Sequence, residues 1–177
     1  MKSKIISISA ISAGFLALIL TVGAYIEMVD LFCIVISSVF VILPLYYKSF
    51  IGSFLTFIVG GVVALLFSGF NFISLVFPSY FFFFGLYPVV TFLMREKRIN
   101  KLVIFIVGLI WCVSYFYGAY FYYTLIMNMT IENLPKFIAD YILYIVPIVG
   151  AIFYVIYHRF IYVVKIWADR CIARIIK

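Results

Sequence analysis

Long hydrophobic stretches dominate the chain and are separated by short polar segments. A helix needs about 20 apolar residues to cross the hydrocarbon core of a bilayer, and six stretches come close to that length. The predicted spans cover residues 5–26, 31–46, 50–67, 73–93, 102–122 and 137–157. The pattern therefore predicts an all-α integral membrane bundle of six transmembrane helices within residues 1–160.

The pattern changes after residue 160, where apolar and charged side chains occupy different faces of a predicted helix over residues 161–177. The apolar face holds Ile161, Val164, Trp167, Ala168, Cys171, Ile172 and Ile175, and the charged residues are Lys165, Asp169, Arg170, Arg174 and Lys177. A basic amphipathic helix of this kind usually lies in the membrane interface. We predict an interfacial anchor or, alternatively, a docking surface for a cytoplasmic or membrane partner.

Lys and Arg residues are distributed unequally between the two sides of the predicted bundle. With the N-terminus inside, twelve of the thirteen fall on the inner side, and Lys136 alone falls outside. Cytoplasmic loops carry this excess of basic residues in most membrane proteins. The distribution predicts a multi-pass protein with both ends in the cytoplasm, and we expect it in a bacterial plasma membrane.

Composition and charge narrow the possible functions. Hydrophobic residues make up 68% of the 177 residues, whereas a soluble domain is about half apolar, so little length remains for a soluble catalytic domain. The formal net charge is +7, but the basic residues lie in short segments beside the spans. That position fits topology signals and contact with anionic lipid better than a nucleic-acid partner.

The sequence lacks motifs for catalysis, cofactors or metals. The three cysteines, Cys33, Cys112 and Cys171, have no metal-ligand spacing. The lone histidine, His158, falls at the inner end of the sixth predicted span, where we interpret it as an interfacial residue. The span centres hold almost no ionisable residues, which argues against a membrane protease, a proton-coupled carrier or a voltage sensor. We expect no enzymatic activity, no cofactor and no bound metal.

A stripe of small residues runs along the first predicted span. Ser9, Ala13, Ala17 and Thr21 follow one another at four-residue spacing, which places them on one face of a helix. Small residues allow close approach of two helices in a membrane. The stripe predicts either a contact within the bundle or a face on which a partner docks, with Ser9, Ala13 and Ala17 as the docking residues.

The fourth predicted span combines two prolines with a run of aromatic residues. Pro78 and Pro88 flank residues 79–85, which include four consecutive phenylalanines. Proline removes a backbone donor and kinks a helix, and a membrane tolerates this where neighbouring protein satisfies the freed carbonyls. The segment predicts a bent helix that either forms the wall of a pocket or faces lipid.

Candidate substrate-binding residues lie near the predicted outer ends of the spans. Aromatic residues account for 21% of the chain, and small-molecule pockets typically combine an apolar, aromatic wall with a few polar groups. We select Asn71, Trp111, Glu132 and Asp140 for a flat or partly apolar organic solute held by stacking and a few hydrogen bonds.

Two sequence segments carry a resemblance to a known family. They are Ala13-Gly-Phe-Leu-Ala17 and Phe82-Phe-Phe-Gly-Leu-Tyr-Pro-Val-Val90, which runs into a basic loop. With the length and the six-span topology, residues 1–125 resemble the S-components, the substrate-binding membrane subunits of energy-coupling factor transporters, or a Firmicute membrane family of that character. The resemblance implies uptake of a vitamin or other small metabolite. It also implies a membrane coupling subunit driven by two ATPase subunits, with Ala13 and Ala17 at the contact.

An alternative comes from another class of membrane protein. Scaffolds of cell-envelope assembly, such as the MreD-type rod-shape proteins, are similarly small, hydrophobic and multi-span, and they carry no substrate. An outward pocket would favour transport, whereas an outer half packed without a cavity would favour scaffolding.

Overall fold

The computed structural model describes residues 2–71, 74–125 and 136–175, and this part of the chain contains helices and no strand. The α-helices are α1 (Lys2–Tyr25), α2 (Asp30–Ile42), α3 (Phe50–Phe67), α4 (Val76–Ser79), α5 (Leu86–Glu96), α6 (Lys101–Leu125) and α7 (Lys136–Ile175). Short 3₁₀ segments cover Glu27–Val29 and Leu43–Tyr47, and a π-helical turn covers Tyr80–Phe84. The all-α prediction is confirmed.

Six helical segments are long and apolar enough to cross a membrane, in agreement with the six predicted spans. They are Ser3–Tyr25, Asp30–Tyr47, Phe50–Phe67, Val76–Glu96, Lys101–Tyr122 and Tyr141–Cys171. Three of them are composite or extended: the second joins α2 to a 3₁₀ segment, the fourth joins α4, the π turn and α5, and the sixth lies within α7. The inside or outside location of each end stays a prediction.

The sixth span and the segment after residue 160 form one continuous helix of 40 residues. At about 1.5 Å per residue its length is roughly 60 Å, about twice the thickness of the hydrocarbon core, so part of α7 extends beyond that core. Ile161, Val164 and Ala168, from the predicted apolar face, are buried, whereas Trp167 is exposed. Part of that face therefore packs on the bundle, and a location in the interface stays a prediction.

The fourth span lies at the centre of the bundle. In its most apolar 18-residue window 67% of residues are buried, against 44% or less in each of the other five spans. The rings of Tyr80, Phe83, Phe84 and Tyr87 are almost fully buried, whereas Phe82 is 54% exposed. The aromatic run therefore builds the core of the protein, and the alternative of a segment that simply faces lipid is wrong.

Helix α1 packs most extensively on α3, and small residues set their close approach. A Cβ placed on Gly60 would lie 2.7 Å from Cδ2 of Leu16 and 3.1 Å from the carbonyl oxygen of Ala13. The Thr56 hydroxyl donates to the Ser9 carbonyl over 3.2 Å. These contacts are those expected where packing rather than the hydrophobic effect holds membrane helices together.

Two of the prolines free backbone carbonyls that side chains of other helices then satisfy. Proline prevents the helical bond to the carbonyl four residues earlier. For Pro88 that carbonyl belongs to Phe84, and it lies within hydrogen-bond reach of the hydroxyls of Ser38, at 3.0 Å, and Tyr157, at 3.1 Å. For Pro147 it belongs to Leu143, which accepts from the Tyr117 hydroxyl over 2.9 Å. The expectation that neighbouring protein compensates a proline of the fourth span is confirmed at Pro88, and Pro147 in α7 is compensated in the same way.

Candidate functional site

A pocket of about 480 Å³ opens between the fourth span and α6. Its volume falls within the range of roughly 300–1,000 Å³ that is typical of small-molecule sites. The residues that line it are Leu75, Pro78, Ser79, Phe81, Phe82, Ser114, Tyr115, Gly118, Ala119 and Tyr122. The fourth span, with Leu75 just before it, and α6 therefore supply all the described lining residues.

A π-helical turn carries the two phenylalanine rings that reach the pocket. The Gly85 amide donates to the Tyr80 carbonyl over 2.8 Å, across five residues instead of four. The phenylalanine run is divided within this turn: Phe81 and Phe82 line the pocket, while the two that follow them are buried in the core. Single π turns inside helices occur frequently at functional sites.

Small residues on α6 provide the space opposite this aromatic wall. A Cβ placed on Gly118 would meet no heavy atom within 4 Å. Ala119 follows it, and Ser114 lies one turn earlier on the same helix. The pocket therefore exists because α6 presents short side chains to the rings of Phe81 and Phe82.

The polar groups of the pocket are hydroxyls. The Tyr115 hydroxyl donates to Oγ of Ser79 over 2.7 Å, and both residues are buried. Among the described lining residues none carries a charge. Aromatic faces with a few hydroxyls can hold a neutral, flat or partly apolar molecule, since stacking supplies most of the contact and hydroxyls orient it.

The pocket lies towards the predicted outer ends of both helices. The fourth span enters the bundle at Val76, and the pocket uses its first residues. In α6, which runs the opposite way, the lining residues begin at Ser114, in the second half of the helix. A cavity in the outer half is what the sequence predicts for a protein that captures a solute from outside.

Asn71 and Trp111, two of the four residues selected from the sequence, are not among the described residues that line this pocket. The Asn71 side chain accepts from the Ser74 amide over 3.3 Å at the turn before the fourth span. Trp111 packs against the rings of Phe83 and Tyr87, with centroids 5.9 and 6.3 Å away.

The other two selected residues cannot be compared with the pocket. Glu132 lies outside the described residues, and the side chain of Asp140 is likewise not described, although its backbone belongs to α7. Their proposed contact with a solute stays a prediction.

The lining residues Ser114, Gly118 and Tyr122 were not selected from the sequence. They follow one another at four-residue spacing on α6, so they share a helix face with two small members. The spacing predicts a helix face with small side chains, but it does not predict which other span packs opposite that face. Trp111 was selected instead because its ring is amphipathic. It lies on the same helix but packs against the core.

A second polar cluster lies deeper in the bundle and contains the lone histidine. The Tyr87 hydroxyl is hydrogen-bonded to Nδ1 of His158 and donates to the Tyr154 hydroxyl over 3.2 Å. Tyr154 in turn donates to the Phe105 carbonyl over 2.9 Å. His158 therefore joins three helices, which differs from the interfacial role inferred from its position.

The small-residue stripe of α1 is largely enclosed by the bundle. Ser9, Ala13 and Ala17 are 9%, 6% and 3% exposed. Ser9 and Ala13 also line a shallow apolar groove of about 330 Å³ between α1 and α3. The stripe therefore makes the contact within the bundle, and a further role in docking a partner stays a prediction.

No protein-family model, no curated protein and no solved structure matches this chain at a significant level.

Proposed function

We propose that the protein is a substrate-capturing membrane subunit of an importer for a small, neutral organic solute. The observation that carries the proposal is the pocket of about 480 Å³ lined by Phe81, Phe82 and Tyr115. A bundle that only scaffolds other proteins has no need of such a space. The resemblance to energy-coupling factor S-components adds the expected partners, a membrane coupling subunit and two ATPase subunits.

The chemistry of the lining restricts the solute. A charged solute would leave its charge unpaired among the described lining residues, and burial of an unpaired charge is costly. A flat ring system of moderate size can instead stack on Phe81 or Phe82 and form a hydrogen bond with the hydroxyl of Ser114, an exposed residue of the lining. Vitamins and other metabolites with a neutral ring meet this description.

Capture from outside also requires the predicted orientation, with both ends of the chain in the cytoplasm. Met28, in the turn between the first two spans, is 97% exposed, and Lys97 follows the end of α5. In intact cells we expect an impermeant thiol reagent to label Met28→Cys, whereas Lys97→Cys should react only after permeabilisation. Both variants carry Cys171→Ser, since Cys33 and Cys112 are buried. The opposite labelling pattern would contradict the orientation.

Blocking the pocket should abolish solute binding. Gly118 lines the pocket and has free space beside its Cα, so Gly118→Leu places a side chain inside without a backbone clash. A thermal-shift screen of the purified protein against vitamins, nucleobases and other neutral metabolites first identifies a ligand. We expect Gly118→Leu to remove at least 90% of the stabilisation by that ligand, an affinity loss of tenfold or more.

The matched control is Gly14→Leu. Gly14 lies on α1 and does not line the pocket, and a Cβ placed on it would also meet no heavy atom within 4 Å. This variant should bind the ligand as the unmodified protein does. Equal binding by both variants would place the ligand elsewhere, and a screen without any ligand would favour the scaffold alternative.

A further inference from the structure

A third cavity, a cleft of about 260 Å³, lies at the opposite end of the bundle from the aromatic pocket. Lys48 comes from the turn between the second and third spans, Arg95 from the end of α5, and Lys165 from α7. These three cations are far apart in sequence, and all were predicted to lie on the cytoplasmic side. The fold therefore gathers basic residues of three separate segments at one position beside the ends of the spans.

The cations are held in place by the surrounding chain. The guanidinium of Arg95 lies 4.8 Å from the ring centroid of Tyr162 on α7, in the geometry of a cation–π contact. Lys48 has the left-handed backbone conformation, with φ of 53°, and its amide donates to the Leu45 carbonyl over 3.0 Å. The turn therefore fixes the backbone that carries the Lys48 side chain.

The charges of the cleft are not fully neutralised. Lys165 pairs with Asp169 one turn along α7, and Glu96 is the acidic residue in the lining. Among the described residues no carboxylate forms an ion pair with Lys48 or Arg95. Three cations therefore face two carboxylates, which leaves a net positive charge.

The remainder of the lining is apolar. Leu45, Phe50 and Phe92 complete the wall beside the cations, and α3 begins at Phe50, so the positive end of its dipole lies at the cleft. A ligand that matches this wall has a phosphate group next to an apolar part. Basic pockets between membrane helices on the cytoplasmic side bind anionic lipid headgroups in this way.

We propose that this cleft binds the phosphate of an anionic phospholipid, with the glycerol and upper acyl part of the lipid against Phe50 and Phe92. The site is separate from the aromatic pocket, and the inference does not depend on the solute or on transport. The apolar wall distinguishes a lipid from free phosphate, which has no group to place there.

Native mass spectrometry of the detergent-solubilised full chain, titrated with phosphatidylglycerol, measures this binding. Each basic residue near a membrane surface strengthens the attraction of anionic lipid. We therefore expect Lys48→Gln with Arg95→Gln to lower the affinity about tenfold or more. The control, Lys97→Gln with Lys101→Gln, removes the same charge from the same predicted side but not from the lining, and should change affinity less than about threefold.

A gain of affinity provides an independent test if the double variant folds poorly. Glu96→Gln removes the acidic residue from the lining and should tighten phosphatidylglycerol binding severalfold, with little effect on zwitterionic phosphatidylcholine. The site would be overturned if the Lys48/Arg95 variant and the control lost equal affinity for phosphatidylglycerol, or if neither lost any. It would also be overturned if Glu96→Gln did not raise that affinity. Displacement of the lipid by equimolar inorganic phosphate would show that the cleft takes a soluble anion and would reject the lipid.

Discussion

Replacing Gly108 with Ala is expected to lower the free energy of unfolding by about 1–3 kcal/mol, the usual cost of overpacking a core. A Cβ at this position would overlap the Tyr154 hydroxyl oxygen and would lie 2.9 Å from Cε2 of Tyr87. Neither ring can move away freely, because the Tyr154 hydroxyl is bonded to the Phe105 carbonyl and to Tyr87. The added methyl group would therefore strain the rings or break the chain of hydrogen bonds that leads to His158.

A matched control lies on the same helix. Gly118→Ala makes the same chemical change in α6, but a Cβ there meets no heavy atom within 4 Å. Ala also favours a helix over Gly by as much as about 1 kcal/mol, so this variant should be neutral or slightly more stable. Equilibrium unfolding in mixed micelles of detergent and denaturing surfactant compares the two.

Removing the obstructing hydroxyl tests the cause. In a Tyr154→Phe background the methyl group added by Gly108→Ala would no longer meet an oxygen, although the Cζ atom, at 2.9 Å in the unmodified protein, remains close. The cost of Gly108→Ala should therefore be smaller in that background. The same cost in both backgrounds, or equal stability of the Gly108 and Gly118 variants, would contradict the packing described for this region.

Hydropathy was sufficient to predict the six spans, because the hydropathy of a segment depends only on its own residues. Whether an aromatic segment faces lipid or protein is not local, since phenylalanine is equally favourable in either environment. Phe82 and Phe83 are neighbours in sequence, yet one is 54% exposed and the other fully buried. The difference arises because the two rings point in different directions and only one of them meets the helices that surround the fourth span.

One wall of the pocket was predictable, but most of its residues were not. The prolines and aromatic run of the fourth span predicted a bent helix as a possible pocket wall, whereas Asn71 and Trp111 were chosen because they are polar or amphipathic. The structure uses Asn71 at a turn and packs Trp111 into the core. What creates the space is Gly118, whose contribution depends on the rings of the facing helix.

The polar contacts within the bundle could not be predicted from the sequence either, because they join residues of different helices. His158, Tyr87 and Tyr154 belong to two different spans, and the carbonyl that ends their chain belongs to a third. Each residue alone resembles an ordinary interface anchor. Only the packing of α5, α6 and α7 shows that these groups satisfy one another inside the protein.

The second large effect on the free energy of unfolding is expected from the side chains that satisfy the Phe84 carbonyl. Pro88 prevents its normal helical bond, and the hydroxyls of Ser38 and Tyr157 both lie within hydrogen-bond reach of it and 2.7 Å from each other. One hydroxyl can therefore donate to the carbonyl while it accepts from the other. Either hydroxyl alone is sufficient to satisfy the carbonyl. We therefore expect Ser38→Ala and Tyr157→Phe each to cost about 0.6 kcal/mol, the average for a hydrogen bond between membrane helices.

The double variant should cost more than the two single variants together. Without both hydroxyls the carbonyl is buried and unpaired, which in an apolar environment costs several kcal/mol. As a control, Ser37 donates to the Ile34 carbonyl of its own helix, so Ser37→Ala combined with Tyr157→Phe should be additive. Unfolding in mixed micelles of all the variants gives the coupling energy as the departure from additivity.

Replacing Pro88 with Ala offers a direct rescue of the double variant. The Pro88→Ala change supplies a backbone N–H in the position from which residue 88 would normally donate to the Phe84 carbonyl. In the unmodified protein this change should bring little gain, because two hydroxyls already satisfy that oxygen. In the Ser38→Ala, Tyr157→Phe background it should recover a large part of the lost stability. An additive double variant, or one that Pro88→Ala does not rescue, would mean that the carbonyl does not depend on these hydroxyls.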